Sequence, residues 1–303
     1  MKILANSIKL RLSVTFLSRF FFAVCITICG IAQAQKNQVE KTEQEWLPIS
    51  AENTVYLEID TGLVVIELAP FMTPQQVQRF VDLVNEGFYD NTDFYRVIDG
   101  FVAQGGDMSE AKKTMFRDKM PPEFTRKIPK PSAFFSLQKP ALLAPETGFL
   151  HGFPAGRDTS TNEEWLLHCP GTVAFARSNE AEWVTPDFYI VIGQAPRHLD
   201  RNMSTLGRVV YGMPAVQQIK RANADAAGGV ITEVDQRTKI ISAKMGNKVA
   251  SDKRLAIYVQ NQLSESAINR ISSSRSRENE FFHFKGNGNL DACYYRPRIK
   301  IGE

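Results

Sequence analysis

The sequence predicts a mainly β protein: a closed antiparallel β-barrel capped by two α-helices, followed by a helical C-terminal extension. Three observations lead there. Short β-rich apolar runs recur along the chain, separated by turn residues. One amphipathic helical pattern follows the first pair of runs, and a second follows the later ones. No repeat period appears. Many short strands with one early and one late helix suit a sheet closed on itself, with helices over its ends.

At the N-terminus, residues 1–34 hold Lys2, Lys9, Arg11 and Arg19 and no acid, then the apolar run FFFAVCITICGIA at 20–32 and Ala-Gln-Ala at 32–34. A positive start, a short apolar core and an A-x-A site predict a secretory signal peptide, cut after Ala34, and hence a periplasmic protein. The alternative is an uncleaved anchor, but the run of about thirteen residues falls short of the ~20 that a spanning helix needs. Without this segment, 36 basic residues become 32 against 33 acidic, a net charge near −1 instead of +3. That balance gives no electrostatic footprint for nucleic acid or anionic lipid.

Residues 35–50 read as a polar leader. TVYLEIDTGLVVIELAP at 54–70 places two β-rich runs around Asp60-Thr61-Gly62, a hairpin signal. Thr73-Pro74 opens a helix with an N-cap and a proline at the first position. Val77, Phe80, Val81 and Val84 share a face, and Gly87 stops it. FYRVIDGFVAQGGD follows at 94–107. Over 108–170 the character changes: PPEFTRKIPKP is too proline-rich for regular structure and GFLHGFPAGRD is loop-like, so the interval reads as a surface insertion. GTVAFA, FYIVIG and LGRVVYG, starting at 171, 188 and 206, are short strands. Pro214 starts a second helix over 213–222, and 231–246 alternates as a closing strand. Beyond it, Ser251 caps a helix to about Arg270, with Leu255, Val259 and Leu263 at helical spacing, and SSSRSREN at 272–279 is flexible. The organisation is thus signal peptide 1–34, leader 35–50, barrel domain 51–246 and extension 247–303.

Cys25 and Cys29 leave with the signal, so Cys169 and Cys293 remain. An even pair in an exported chain favours a disulfide; two separate buried thiols are the alternative. No Cys or His spacing matches a zinc site, so neither metal nor cofactor is expected.

FYRVIDGFVAQGGD combines one arginine, one amide and an apolar wall, with no nucleophile–base pair. It resembles the F-x-R-x-x-x-G-F-x-x-Q-G-G-D signature of cyclophilins, which are peptidyl-prolyl cis–trans isomerases. GTVAFARSNEAEWVTPDFYIVIG at 171–193 and HLDRNMSTLGRVVYGM at 198–213 resemble two further blocks of that family, in the same order and spacing. The likeness covers roughly 55–245 and is strongest to exported bacterial members with a long insertion and an extension. It implies a cyclophilin-like barrel, proline-containing polypeptides as partners and no cofactor. It says nothing of oligomeric state.

Carried over by position, the resemblance makes Arg96 the catalytic arginine, Phe101 the floor of a proline pocket and Gln104 the amide holding the substrate backbone. Val102, Tyr189 and Leu199 become pocket walls, and Ala176 and Arg177 an edge for an extended peptide. Three positions depart from the family: at two substrate-binding positions Asp187 stands for a glutamine and Met203 for a rim histidine or tyrosine, and His198 stands for a tryptophan found in some members. Taken singly, Arg96 reads as a surface ion-pair residue, and Phe101 and Tyr189 as core aromatics; the three-block context favours a site. The alternative function is a catalytically weak barrel that binds proline segments as a chaperone, and Asp187 and Met203 are what favour it.

Overall fold

A hairpin starts the barrel. The computed structural model describes residues 44–109, 118–177, 179–180 and 183–302; the signal-like segment and most of the leader lie outside them. Along the chain, β1 (Trp46–Pro48) precedes β2 (Thr54–Ile59) and β3 (Gly62–Leu68), and α1 (Pro74–Asn85) follows. Next come β4 (Thr92–Ile98), β5 (Val102–Gly106), β6 (Asp118–Lys119), β7 (Arg126–Lys127) and β8 (Phe134–Gln138). The insertion continues with β9 (Glu146–Leu150), β10 (Phe153–Asp158) and β11 (Glu163–Leu166). Then follow β12 (Thr172–Arg177), β13 (Trp183–Val191), β14 (Thr205–Tyr211), α2 (Met213–Gln217) and β15 (Thr238–Met245). The extension holds β16 (Ile257–Gln260), α3 (Glu265–Ser276) and β17 (Ile299–Ile301).

The barrel runs β12-β14-β3-β2-β15-β4-β5-β13, and pairing of β12 with β13 closes it into eight antiparallel strands. Closure removes both sheet edges. Its interior is filled by alternate residues such as Leu57, Ile66, Phe94 and Phe188, and Phe80 of α1 plugs one end with edge-on aromatic contacts to Phe175 and Phe188. Thr73 precedes α1 as expected, yet its hydroxyl does not cap the helix. It donates to Thr205 O at 2.8 Å and ties the helix start to β14.

Four readings of local structure are corrected. The second helix ends at Gln217 instead of Ala222, because Lys220 N turns to Thr238 Oγ1 and Ala222 N to Val97 O. The closing strand begins only at Thr238. The loop-like GFLHGFPAGRD forms β9 and β10, part of a five-stranded sheet ordered β7-β11-β10-β9-β8. The helix expected from Ser251 is strand β16, which pairs with β1 and β17; the helix lies further on, capped by Ser264 Oγ accepting from Ala267 N, and takes in most of the stretch read as flexible. Leu255 and Val259 fit helical spacing, but Ile257-Tyr258-Val259 is β-branched and aromatic, which suits a pleated strand.

Insertion and extension share a second core. Phe149, Trp165 and Leu167 from one pack with Ile271, Leu290 and Ala292 from the other. Within it Cys169 is joined to Cys293, with Cα atoms 5.0 Å apart. No helix among the described residues is long and apolar enough to cross a membrane.

Candidate active site

Strands β4 and β5 form the hairpin that carries the signature motif. Phe94 pairs with Gly105 and Arg96 with Gln104, so Tyr95 is an extra residue, a β-bulge. The bulge breaks the alternation: Phe94 and Tyr95 are both buried, and Arg96 turns outward beside Gln104. On the other side of β5, Gln104 pairs with Tyr189 of β13, which puts three side chains in a row across the barrel wall. The turn between β4 and β5 presents Phe101, and its carbonyl accepts from Ile192 N at 2.9 Å. Opposite, a 3-10 turn at Arg197–Leu199 supplies Leu199 and His198, whose ring stacks on Phe101 at 5.8 Å.

These elements enclose a hollow of about 240 Å³ lined by Arg96, Phe101, Val102, Gln104, Ala176, Arg177, Tyr189, Leu199 and Met203. Its floor is apolar: Val102 and Tyr189 are buried, and Phe101, Leu199 and Met203 pack against them. The mouth is polar. Arg96 Nε donates to Gly228 O at 2.8 Å and Nη1 to Gln104 Oε1 at 3.1 Å, which fixes the guanidinium plane. Arg177 Nε donates to Asn202 O at 3.0 Å, and the Ala176 carbonyl accepts from the Thr185 hydroxyl.

A family model for the cyclophilin type peptidyl-prolyl cis-trans isomerase/CLD matches residues 54–245. The chain belongs to this family. A probable peptidyl-prolyl cis-trans isomerase of Brucella suis is 30% identical over 192 residues, 63% of this chain and 82% of the relative. Peptidyl-prolyl cis-trans isomerase A of Dickeya dadantii is 26% identical over 198 residues, 64% of this chain and 85% of the relative. Among solved structures, cyclophilin AquaCyp293 from Hirschia baltica aligns with a TM-score of 0.65 at 24% identity, over 87% of this chain and 98% of its own.

Every site residue expected from sequence lines the hollow of this cyclophilin except Asp187. That residue does not line it: it is 1% exposed, and its Oδ2 accepts from the Tyr95 hydroxyl at 2.8 Å. The cause is register. Phe188 opposes Gly105, so Asp187 falls beside Gly106, on the same face as Tyr189 and Gln104 but one pair further along the strands than the hollow reaches. Gly106 (φ 143°) makes room for it; a Cβ there would meet Asp187 Oδ1 at 2.1 Å.

Sequence reasoning missed the groups that hold the walls. His168 is fully buried, and its Nδ1 donates to Asp200 Oδ1 at 3.1 Å. In the neutral ring that leaves Nε2 to accept from the Tyr189 hydroxyl, 3.0 Å away. Burial lifts the Tyr189 pKa, Arg177 opposes the rise and Asp200 adds to it, so the hydroxyl stays protonated as the donor. Asp200 also accepts from Arg197 Nε, which pins the turn that carries Leu199. The sequence offered no signal for this relay, since His168 has no ligand-like spacing and its partners lie 21 and 32 positions away.

Proposed function

We propose that Arg96, Phe101 and Gln104 carry the peptidyl-prolyl cis–trans isomerase activity of this chain, acting on proline-containing segments of exported proteins. Rotation about an X–Pro bond meets a barrier of ~18–20 kcal/mol from amide resonance and breaks no bond to a heavy atom. Acid–base and nucleophilic groups therefore have nothing to act on. The site need only bind the twisted amide better than either planar form. In the twisted state the proline nitrogen regains its lone pair, and a fixed guanidinium beside it gains strength selectively. Arginine suits this because its donors are planar, directional and always charged.

The single observation that carries the reading is the convergence of Arg96 and Gln104 with Phe101, Val102, Tyr189 and Leu199 on one hollow. The apolar floor would seat the pyrrolidine ring while the preceding residue turns, and its low polarity strengthens the arginine's field. The test is a protease-coupled assay on a short X–Pro peptide. Arg96→Ala is expected to lower kcat/KM by about 100-fold or more, as loss of a transition-state donor does. Equal rates for Arg96→Ala and wild type would leave only the weakly catalytic binding module.

Two observations support action after export: the signal-like pattern of residues 1–34 and the joined Cys169 and Cys293, which an oxidising compartment favours. Sequencing the N-terminus of the protein recovered from a periplasmic fraction should begin at Gln35. Recovery from the cytoplasm with Met1 or Lys2 retained would refute export.

A further inference from the structure

From the lining of the hollow inward, Arg96, Gln104, Tyr95 and Asp187 lie on one line of hydrogen bonds whose direction is set at both ends. Asp187 Oδ2 accepts from the Tyr95 hydroxyl at 2.8 Å, and an ionised carboxylate can only accept. The Tyr95 oxygen is then the acceptor for Gln104 Nε2 at 2.7 Å. That turns Gln104 Oε1 toward Arg96, whose Nη1 donates to it at 3.1 Å, and a guanidinium can only donate. A side-chain amide is nearly symmetric in shape, so packing alone does not choose its orientation. The carboxylate and the guanidinium choose it together.

The backbone is arranged for this line. The bulge at Tyr95 lets that residue reach inward while its neighbour Arg96 stays beside Gln104. Gly106 clears the space that the Asp187 carboxylate fills. Burying a carboxylate is costly unless it is paired; Asp187 is 1% exposed, and its Oδ2 is held by the Tyr95 hydroxyl. Burial chiefly, and then the Asp187 charge, raise the Tyr95 pKa, which keeps its hydroxyl protonated as a donor.

We propose that Tyr95 and Asp187 are positioning residues for the isomerisation: through Gln104 they hold the Arg96 guanidinium in the plane that meets the twisted prolyl amide. The proposal rests on the reading of Arg96 given above. Asp187, where the family has glutamine, thereby replaces an amide by a group that can only accept. With Tyr95→Phe the line is cut. With Asp187→Asn, nearly isosteric, the terminal group also gains a donor, and the orientation of Gln104 is then set by the guanidinium alone.

The test is steady-state kinetics on an X–Pro peptide for Arg96→Ala, Gln104→Ala, Tyr95→Phe, Asp187→Asn and the double variant Tyr95→Phe/Gln104→Ala. Tyr95→Phe and Asp187→Asn should each lower kcat by about 3- to 10-fold, the effect of one lost hydrogen bond, with a smaller change in KM through the Gln104 contact to the substrate backbone. The double variant should be no slower than Gln104→Ala alone, because Tyr95 acts through that amide. In nitrogen-edited NMR spectra, the Gln104 side-chain amide and the Arg96 Nε–H should shift in both single variants. Wild-type kcat in a folded Tyr95→Phe, or additive losses in the double variant, overturns the proposal. Should Tyr95→Phe not fold, Asp187→Asn decides by the same criteria. If Arg96→Ala itself keeps wild-type activity, the proposed function has failed, and that result is distinct from a failure of Tyr95 and Asp187 alone.

Discussion

At the residue scale, buried tyrosine hydroxyls recur around the barrel wall, each given a partner. Tyr89 donates to Pro186 O at 2.7 Å, Tyr95 to Asp187 and Tyr189 to His168. Burial is the leading cause that raises the pKa of all three; Asp187 adds to the rise at Tyr89 and Tyr95, and Asp200 to that at Tyr189. The neutral hydroxyl is the folded form, whereas an unfolded tyrosine ionises near pH 10. Below about pH 10 both states keep the proton and the contribution to stability is fully present. Above it only the unfolded chain can ionise, so stability falls with pH by up to about 1.4 kcal/mol per unit for each tyrosine. We expect three of the eight tyrosines to resist ionisation until the fold gives way, seen as tyrosinate absorbance rising together with loss of the circular dichroism signal. All eight ionising near the ordinary value in an intact fold would contradict this.

At the element scale, what could be read from sequence was what is local. The β2–β3 hairpin and α1 were legible because alternation, a proline at the first helical position and Gly87 are signals within a few residues. The pocket was legible through the three-block resemblance, which carried residues of the β4–β5 hairpin, β12, β13 and the turn at Arg197–Leu199 to one place. The insertion sheet was not, because its glycines read as loop. In fact Gly148 lies against Phe135 O and Gly156 against the Trp165 ring, where any Cβ would collide. His151 and Gly152, with φ of 49° and 85°, form the two-residue turn between β9 and β10, a signal hidden by its unusual first residue. Asp187 was misplaced for a third reason. It shares the face of Tyr189, but its place opposite Gly106, one pair beyond the hollow, depends on register with β5, and a single strand does not state its register.

At the scale of the whole molecule, the chain closes a loop of 124 residues by joining Cys169 to Cys293 within the core shared by insertion and extension. Cys169 follows His168, the residue that holds Tyr189 and Asp200, so the link lies one residue from the anchor of the pocket walls. The signature hairpin β4–β5 depends on neither, since its pairing partners β13 and β15 belong to the barrel. Constraint of the unfolded chain by a loop of this length is worth about 4–5 kcal/mol on the chain-entropy account. The second core would still hold the two ends near each other after the bond is cut, so that figure is an upper bound. Cys293→Ser, or reduction of the wild type, should therefore lower the unfolding free energy by a few kcal/mol, read as a fall in the urea midpoint. The folded, reduced protein should keep kcat, because Arg96 and Gln104 do not move with the tail, while KM rises as the Tyr189 and Leu199 walls loosen. Equal midpoints for the oxidised and reduced proteins would show that the second core alone fixes the extension. A fall in kcat at constant KM would show instead that the arginine's hairpin depends on the insertion after all.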